Sequence, residues 1–412
     1  MPARRSPRDS NTRPRSTDLS DPLPSVELMK ILHTSDWHLG RTLHGVDLHG
    51  AQRTFVDHLV DLVQQHDVAA VVVAGDVYDR AIPAVETVRL FSDALRRLSD
   101  HTTVIVTPGN HDSAARLGFG ADVMRDSVRI LADVDSLDRP VVLRDGATEV
   151  AVFGLPYLDP DAARQRLLDP DGELPARSHE AVISAAMRRV RAAADGRRSI
   201  VLAHAFVVGA EPSDSERDLS VGGVQAVPSG VFDGVDYVAL GHLHGPQVVP
   251  VPGSSTVARY SGSPLAYSFS EKNHTKSVAL VDLTDDAPVS VELLPLPVPR
   301  PLAEVSGSVE HLLSGATESV VDHWVKVVVT DGALSSESRA ALQARFAHLL
   351  QLVHEPAGAS TRAAAPVVTE GMSPAEVTTD FIEFVTARPA VDDEIAVARL
   401  AYEAVRAVEA AR

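Results

Sequence analysis

Five apolar runs, each of strand length and each ending in a cluster of Asp, Asn or His, constrain this chain more than any other feature. The runs are Lys30–His33, Val68–Ala74, Thr103–Thr107, Ser199–Leu202 and Val235–Leu240. The clusters that follow them read Asp36-Trp37-His38, Gly75-Asp76-Val77-Tyr78-Asp79, Gly109-Asn110-His111-Asp112, Ala203-His204-Ala205 and Gly241-His242-Leu243-His244. Short apolar runs bounded by turn residues read as buried strands. In an open α/β sheet, segments leaving the carboxyl ends of the strands share one crevice. The five clusters are therefore expected to converge on a single pocket. Between the runs, Phe55, Leu59, Leu62 and Val63 fall at helical spacing, as do Val85, Val88, Phe91, Leu95 and Leu98. Residues 160–195 add helices with a charged surface. Strand–helix alternation of this kind predicts a layered α/β domain.

The converging side chains are of the type that holds a pair of divalent cations. Hard oxygen ligands with imidazoles suit Mn²⁺ and similar ions. Two such ions about 3.5–4 Å apart clamp the attacking and leaving oxygens of an in-line displacement on phosphorus. A shared carboxylate must bridge them, and Asp76, closing the longest purely apolar run, is the expected bridge. Asp36 and His38, two apart in extended chain, are expected to project to one side, and His242 and His244 likewise. Asn110 supplies a neutral oxygen and His204 a further imidazole. This gives seven metal ligands: Asp36, His38, Asp76, Asn110, His204, His242 and His244. His111 is left over beside Asn110 and suits the general acid that protonates a leaving alkoxide. Asp79, three residues after Asp76, is expected to orient that imidazole, and Asp112 to fix the loop.

At 412 residues the chain exceeds one typical core, which predicts two or three domains. It contains no cysteine, so disulfides, thiolate metal sites and a cysteine nucleophile are excluded. The absence fits a reducing cytoplasm, the expected location. No apolar run approaches membrane-span length, and the arginine-containing start lacks the apolar segment of a secretory signal. Against 38 basic residues stand 56 acidic ones, a net −18, which argues against a surface broadly coated for nucleic acid. Residues 1–28, rich in Arg, Ser, Pro and Asp, are expected to be disordered; Met29, directly before the first strand, is a candidate translation start. The run Pro295–Pro301 marks a stiff boundary. Beyond it, a strand over Trp324–Thr330 and a helix over Ser336–Leu350 predict a small α+β module. A linker at 356–372 leads to a tail, 373–412, with helical patterns at Pro374–Thr386 and Asp393–Ala411. That tail is too small to fold alone, which suits docking on another protein or on the rest of the chain.

The order Asp-x-His, Gly-Asp-x-x-Asp, Gly-Asn-His-Asp, His, Gly-His-x-His resembles the calcineurin-like metallophosphoesterase superfamily. Met29–Arg41, Gly75–Pro83, Gly241–Gln247 and Tyr260–Glu271 are similar to one of its branches, the SbcD family, nuclease subunits of the bacterial SbcCD complex. The resemblance implies a layered metallophosphoesterase β-sandwich flanked by helices over 29–280 and a small α+β capping, DNA-binding domain over 281–355. It also implies a helical region over 373–412 that binds the coiled-coil ABC ATPase SbcC. One Mn²⁺ (Mg²⁺ being the alternative) would be held by Asp36, His38, Asp76 and His244, and the second by Asp76, Asn110, His204 and His242. His111 would be the catalytic acid, supported by Asp79. The implied activity is 3′–5′ exonuclease on double strands and endonuclease on hairpins and single strands, in DNA repair, recombination and replication. A homodimer within a heterotetramer is implied as well. The chain has no Gly-x-x-x-x-Gly-Lys-[Ser/Thr] loop, so ATP dependence would come from the partner. Two other readings stand beside this one. A small-molecule or protein phosphoesterase on the same scaffold is favoured by the acidic charge, and a regulatory subunit with a decayed site is opposed by seven competent ligands.

Overall fold

The computed structural model describes residues 29–145, 148–168, 171–216, 226–283, 287–356, 377–382, 390–391, 393–397 and 400. The extension expected at 1–28, and most of the tail helices expected at 374–386 and 393–411, lie outside the described residues; within them, 377–382 and 393–397 are helical. The chain divides into two units, residues 1–299 and 300–412.

The first unit is built on two six-stranded sheets, where the strand runs alone suggested one open sheet. In one, the order is Ser290–Pro295, Ser277–Leu283, Met29–Thr34, Ala70–Ala74, Thr103–Thr107 and Val128–Ile130. Its last four strands are parallel, and Ser277–Leu283 runs antiparallel to Met29–Thr34. The other sheet runs Gln247–Val249, Val257–Tyr260, Tyr237–Gly241, Arg198–His204, Thr148–Leu155 and Val141–Asp145, with its four central strands parallel. Three of the five motifs thus leave the first sheet and two the second. The boundary expected at 280 falls inside the strand Ser277–Leu283, and the strand after it also belongs to the first sheet.

The layering follows from which alternate residues each strand buries, since successive side chains point to opposite faces. Ala70, Val72 and Ala74 join Met29, Ile31 and Ile105 in a core shared with Val152, Ile200, Leu202, Tyr237 and Ala239 of the other sheet. Val71, Val73, Val104 and Val106 instead meet Phe55, Leu59, Leu62 and Val63 of helix α1 (His49–His66) and Phe91 and Leu98 of helix α2 (Val85–Ser99). On the far side, Phe153, Val201, Ala203 and Val238 pack against Val182, Ala186, Met187 and Val190 of helix α3 (His179–Ala194). The order of layers is helix, sheet, sheet, helix. Val85 and Val88, expected on the apolar face of α2, are exposed, because its inner face is set by Thr87, Leu90, Phe91, Ala94 and Leu98.

Among the described residues, the second unit has three parallel strands, Leu302–Gly307, Trp324–Val329 and Leu349–His354, with the middle strand paired to both others. Its core gathers Leu312, Val325, Val327, Val329, Leu342 and Phe346. The helix expected to reach Leu350 ends at Arg345, because Phe346 turns to extended backbone and the apolar run behind it pairs with Trp324–Val329.

Candidate metal centre

All five motifs meet at one end of the first unit. The first is laced to the second through main chain: Asp36 N donates to Gly75 O (3.1 Å), His38 N to Asp76 O (3.0 Å) and Leu39 N to Val77 O (2.9 Å). The fourth and fifth lie side by side, with Gly241 in register with His204. Asp36 and His38 are not in the extended chain expected of them, and Asp76 shares their positive φ. Their φ angles are 54°, 42° and 49°, and that of His242 is 109°. Left-handed backbone at residues with a side chain costs about 1–2 kcal/mol each and persists where the surroundings over-determine it, commonly at functional sites. Two glycines make the approach possible. Gly75 has φ 84°, and a Cβ there would lie 2.2 Å from His204 Nδ1. A Cβ on Gly241 would lie 1.7 Å from Ala74 O, so the two sheets touch backbone to backbone at the site.

The side chains brought together are buried: Asp36, His38, Asp76, His111, His204, His242 and His244 are each at most 6% exposed. Three groups have candidate ligand atoms within 4.8 Å of one another: Asp36, His38 and His244; His38, Asp76 and His111; and Asp36, Asp76 and His204. His38 Nε2 faces His244 Nε2 at 3.1 Å and Asp76 Oδ2 at 3.6 Å. His204 Nε2 lies 2.9 Å from Asn110 Oδ1 and 3.4 Å from Asp76 Oδ2. The His242 ring centroid is 5.3 Å from that of His204, and its backbone N–H donates to the Asp36 carboxylate. His111 joins the cluster, with Nε2 3.9 Å from Asp76 Oδ2 and its backbone N–H donating to Asp76 Oδ1. Asp79 does reach His111, through its main-chain carbonyl at 2.8 Å from Nδ1, while its carboxylate lies 3.7 Å from Arg41 Nε and 3.6 Å from Arg80 Nε. Asp112 fixes the loop as expected, accepting from the backbone N–H groups of Val77, Tyr78 and Gly109.

The electrostatics suit cation binding. Burial opposes ionisation of Asp76, yet His204, His38 and His111 around it hold its carboxyl well below the usual range. Burial also opposes charging of His204, but the carboxylates of Asp76 and Asp36 outweigh it and push this imidazole up to about 9. Burial pushes Asp36 up to about 6, and it keeps His38 and His242 neutral, the latter down to about 3. The donor set fits a divalent pair. Imidazole nitrogens and carboxylate oxygens crowd within a few ångströms, and the Nε2 atoms of His38 and His244 face each other. Only a proton or a cation between such acceptors relieves that crowding.

Sequence reasoning missed the residues that back the ligands. Ser35 donates to Asp36 Oδ2 (2.6 Å), Tyr267 OH donates to Trp37 O, and the Arg41 guanidinium lies 5.0 Å from the Tyr267 ring centre. Ser215, Glu216, Glu271 and Lys276 surround His244. The signals in the sequence are the Met29–Arg41 and Tyr260–Glu271 segments, which hold Ser35, Arg41, Tyr267 and Glu271 but carry no spacing that would assign them roles.

Fold and site together define a metallophosphoesterase. The family model for calcineurin-like phosphoesterases matches residues 29–246, and the chain belongs to that family. Residues 298–386 match a second model, that of the SbcD C-terminal domain, described as the type 5 capsule protein repressor C-terminal domain. The pair places the chain with SbcD-type nucleases. Among solved structures, TT1561 of Thermus thermophilus is 16% identical, covering 66% of this chain and all of that one, with a TM-score of 0.38. GAP50, the anchor in the inner membrane complex of Plasmodium, is 10% identical over 80% of this chain and 98% of its own, with a TM-score of 0.37. A dimetal phosphatase from Danio rerio is 11% identical over 65% and 99%, also at 0.37. Among the described residues, no helix is long and apolar enough to cross a membrane.

Proposed function

We propose that this phosphoesterase is a two-metal DNA nuclease, with Mn²⁺ the preferred ion, acting with an SbcC-type coiled-coil ATPase on duplex ends and hairpins. The observation that carries the reading is the convergence of Asp36, His38, Asp76, His204 and His244 in one buried cluster, joined to an SbcD C-terminal match further along the chain. One ion falls to Asp36, His38, Asp76 and His244, and the other to Asp76, Asn110, His204 and His242. When bound, such a pair polarises the phosphodiester and supplies a hydroxide-like water. The protein's own part is positioning and proton transfer. The Asp79 carbonyl holds a proton on His111 Nδ1, so His111 Nε2 faces the cluster, and as imidazolium it protonates the departing alkoxide. Residues 300–355 serve as the DNA-binding cap and 373–412 as the ATPase-binding region. Two copies assemble with the ATPase into a heterotetramer, which the exposed Ile82, Val85 and Val88 suit.

The test is Mn²⁺-dependent 3′–5′ degradation of linear duplex and cleavage of hairpins by the full chain, alone and with the ATPase, for the parent and for His111→Leu. Unchanged activity in the variant removes His111 as the acid. The net charge of −18 favours a second reading, a phosphoesterase of small molecules or proteins. Turnover of a nucleotide diester with intact DNA left uncut would decide for it.

A further inference from the structure

His244 is gripped from behind by a buried ion pair that no part of the reaction uses. Glu271 and Lys276 are 1% and 3% exposed, and their side chains bond directly. Lys276 Nζ also donates to His244 O (3.0 Å) and Ser263 Oγ (2.9 Å). Glu216 Oε1 accepts from His244 N (2.7 Å). Ser215 Oγ lies 2.6 Å from His244 Nδ1 and bonds to Glu271 Oε1, which itself stands 3.3 Å from Nδ1 and accepts from Tyr267 N (3.1 Å).

Hydrogen-bond chemistry leaves one assignment of the protons. An ionised Glu271 only accepts, so the Ser215 hydroxyl proton goes to Glu271. The Ser215 oxygen is then an acceptor towards Nδ1, and the direct Glu271 contact requires the same. Nδ1 must therefore be the donor. A neutral His244 has its lone pair on Nε2, the nitrogen that faces His38. A buried ion pair is weak support for stability, since apolar replacements of similar volume are often neutral or better. A pair placed behind one imidazole is explained by what it does to that imidazole. Metal-ligating histidines characteristically donate their second ring N–H to such a carboxylate.

We propose that Glu271, anchored by Lys276 and acting directly and through Ser215, is a positioning residue that fixes His244 as its Nδ1–H tautomer, with Nε2 turned to a metal ion. The proposal rests on the two-metal reading above. Glu271 does not touch the reacting atoms. Its carboxylate sets which nitrogen is free and how the ring is aimed.

The experiment compares the full-length parent with Glu271→Gln, and with Glu271→Leu/Lys276→Met, which removes both charges at once and guards against misfolding of the first. Two readouts are taken. Imidazole ¹⁵N spectra of the metal-free proteins report the His244 tautomer, and calorimetric Mn²⁺ titration reports the affinity of each equivalent. A parent with His244 protonated on Nδ1 and two Mn²⁺ equivalents is expected. Folded variants should lose the single tautomer and bind one equivalent about 10–100-fold more weakly, the other being little changed. A folded variant with an unchanged tautomer and two unchanged affinities overturns the proposal while leaving the metal centre intact. A parent that takes up no Mn²⁺ overturns both.

Discussion

Raising the pH should strengthen metal binding by an amount that His204 sets. With Asp76 and Asp36 beside it, this imidazole is pushed up to about 9 in the metal-free protein. A metal that takes its nitrogen must first expel that proton. Since pH 7 lies about two pH units below the midpoint near 9, expulsion costs about 2.7 kcal/mol, a roughly hundredfold loss of apparent affinity. Proton and metal compete, so affinity rises with pH. The expected slope is roughly tenfold per unit between about pH 7 and 8.5, flattening above 9. His38 and His242 are already neutral there and add nothing. Asp36, pushed up to about 6 by burial, adds a second proton and steepens the slope below that pH. A metal-bound water releases a proton of its own, so the imidazole itself must be followed. Selective ¹⁵N-histidine spectra should show His204 doubly protonated at pH 7.5 in the metal-free protein, and neutral once a diamagnetic divalent ion, used in place of Mn²⁺, is bound at saturation. Mn²⁺ affinities across the same range should trace the slope. A His204 that is neutral at pH 7.5 without metal, or an affinity flat from pH 7 to 8.5, refutes the reasoning.

Gly241→Ala places a Cβ 1.7 Å from Ala74 O, and since both atoms are anchored by main chain the sheet ends must part. A displacement near 1 Å at a reacting centre costs about 100-fold in rate, so phosphodiesterase activity should fall by that order while thermal melting still shows a cooperative fold. Asp112→Ala strips the acceptor from three N–H groups, those of Val77, Tyr78 and Gly109. At about 1–3 kcal/mol for each buried donor left unpaired, urea denaturation should show a loss of at least about 3 kcal/mol, and a loss under about 1 would contradict the bonding described. His33 donates to or accepts from the Tyr237 hydroxyl (2.9 Å), and burial pushes it down to about 3. Its folded value lies below its unfolded one. The stability it contributes is therefore present above about pH 6.5 and is lost as pH falls towards 3. His33→Asn should flatten the slope of stability against pH in that window by about one proton; an unchanged slope would mean that His33 is charged in the folded state.

The strands were legible because strands covered on both faces need apolar residues at nearly every position, and Val71 to Ala74 shows this directly. The same property hid the second sheet. Val71 and Val73 pack on helices while Val72 and Ala74 pack on another sheet, and a valine is equally suited to either neighbour. The clustered polar side chains were legible for the opposite reason, since Asp, Asn and His gathered just past apolar runs have few purposes apart from chemistry. Their backbone was not: nothing in Asp36-Trp37-His38 announces left-handed φ angles, which come from the bonds to Gly75 and Asp76. Asp79 shows the limit most sharply. Its spacing suggested a carboxylate behind His111, yet the contact runs through its carbonyl, an acceptor every residue carries and no side-chain pattern reveals. Glu271 is the converse case. Its side chain does the positioning, but it lies 27 residues from His244 with no periodicity linking them, so only the closed network of Ser215, Lys276 and the imidazole gives it a role.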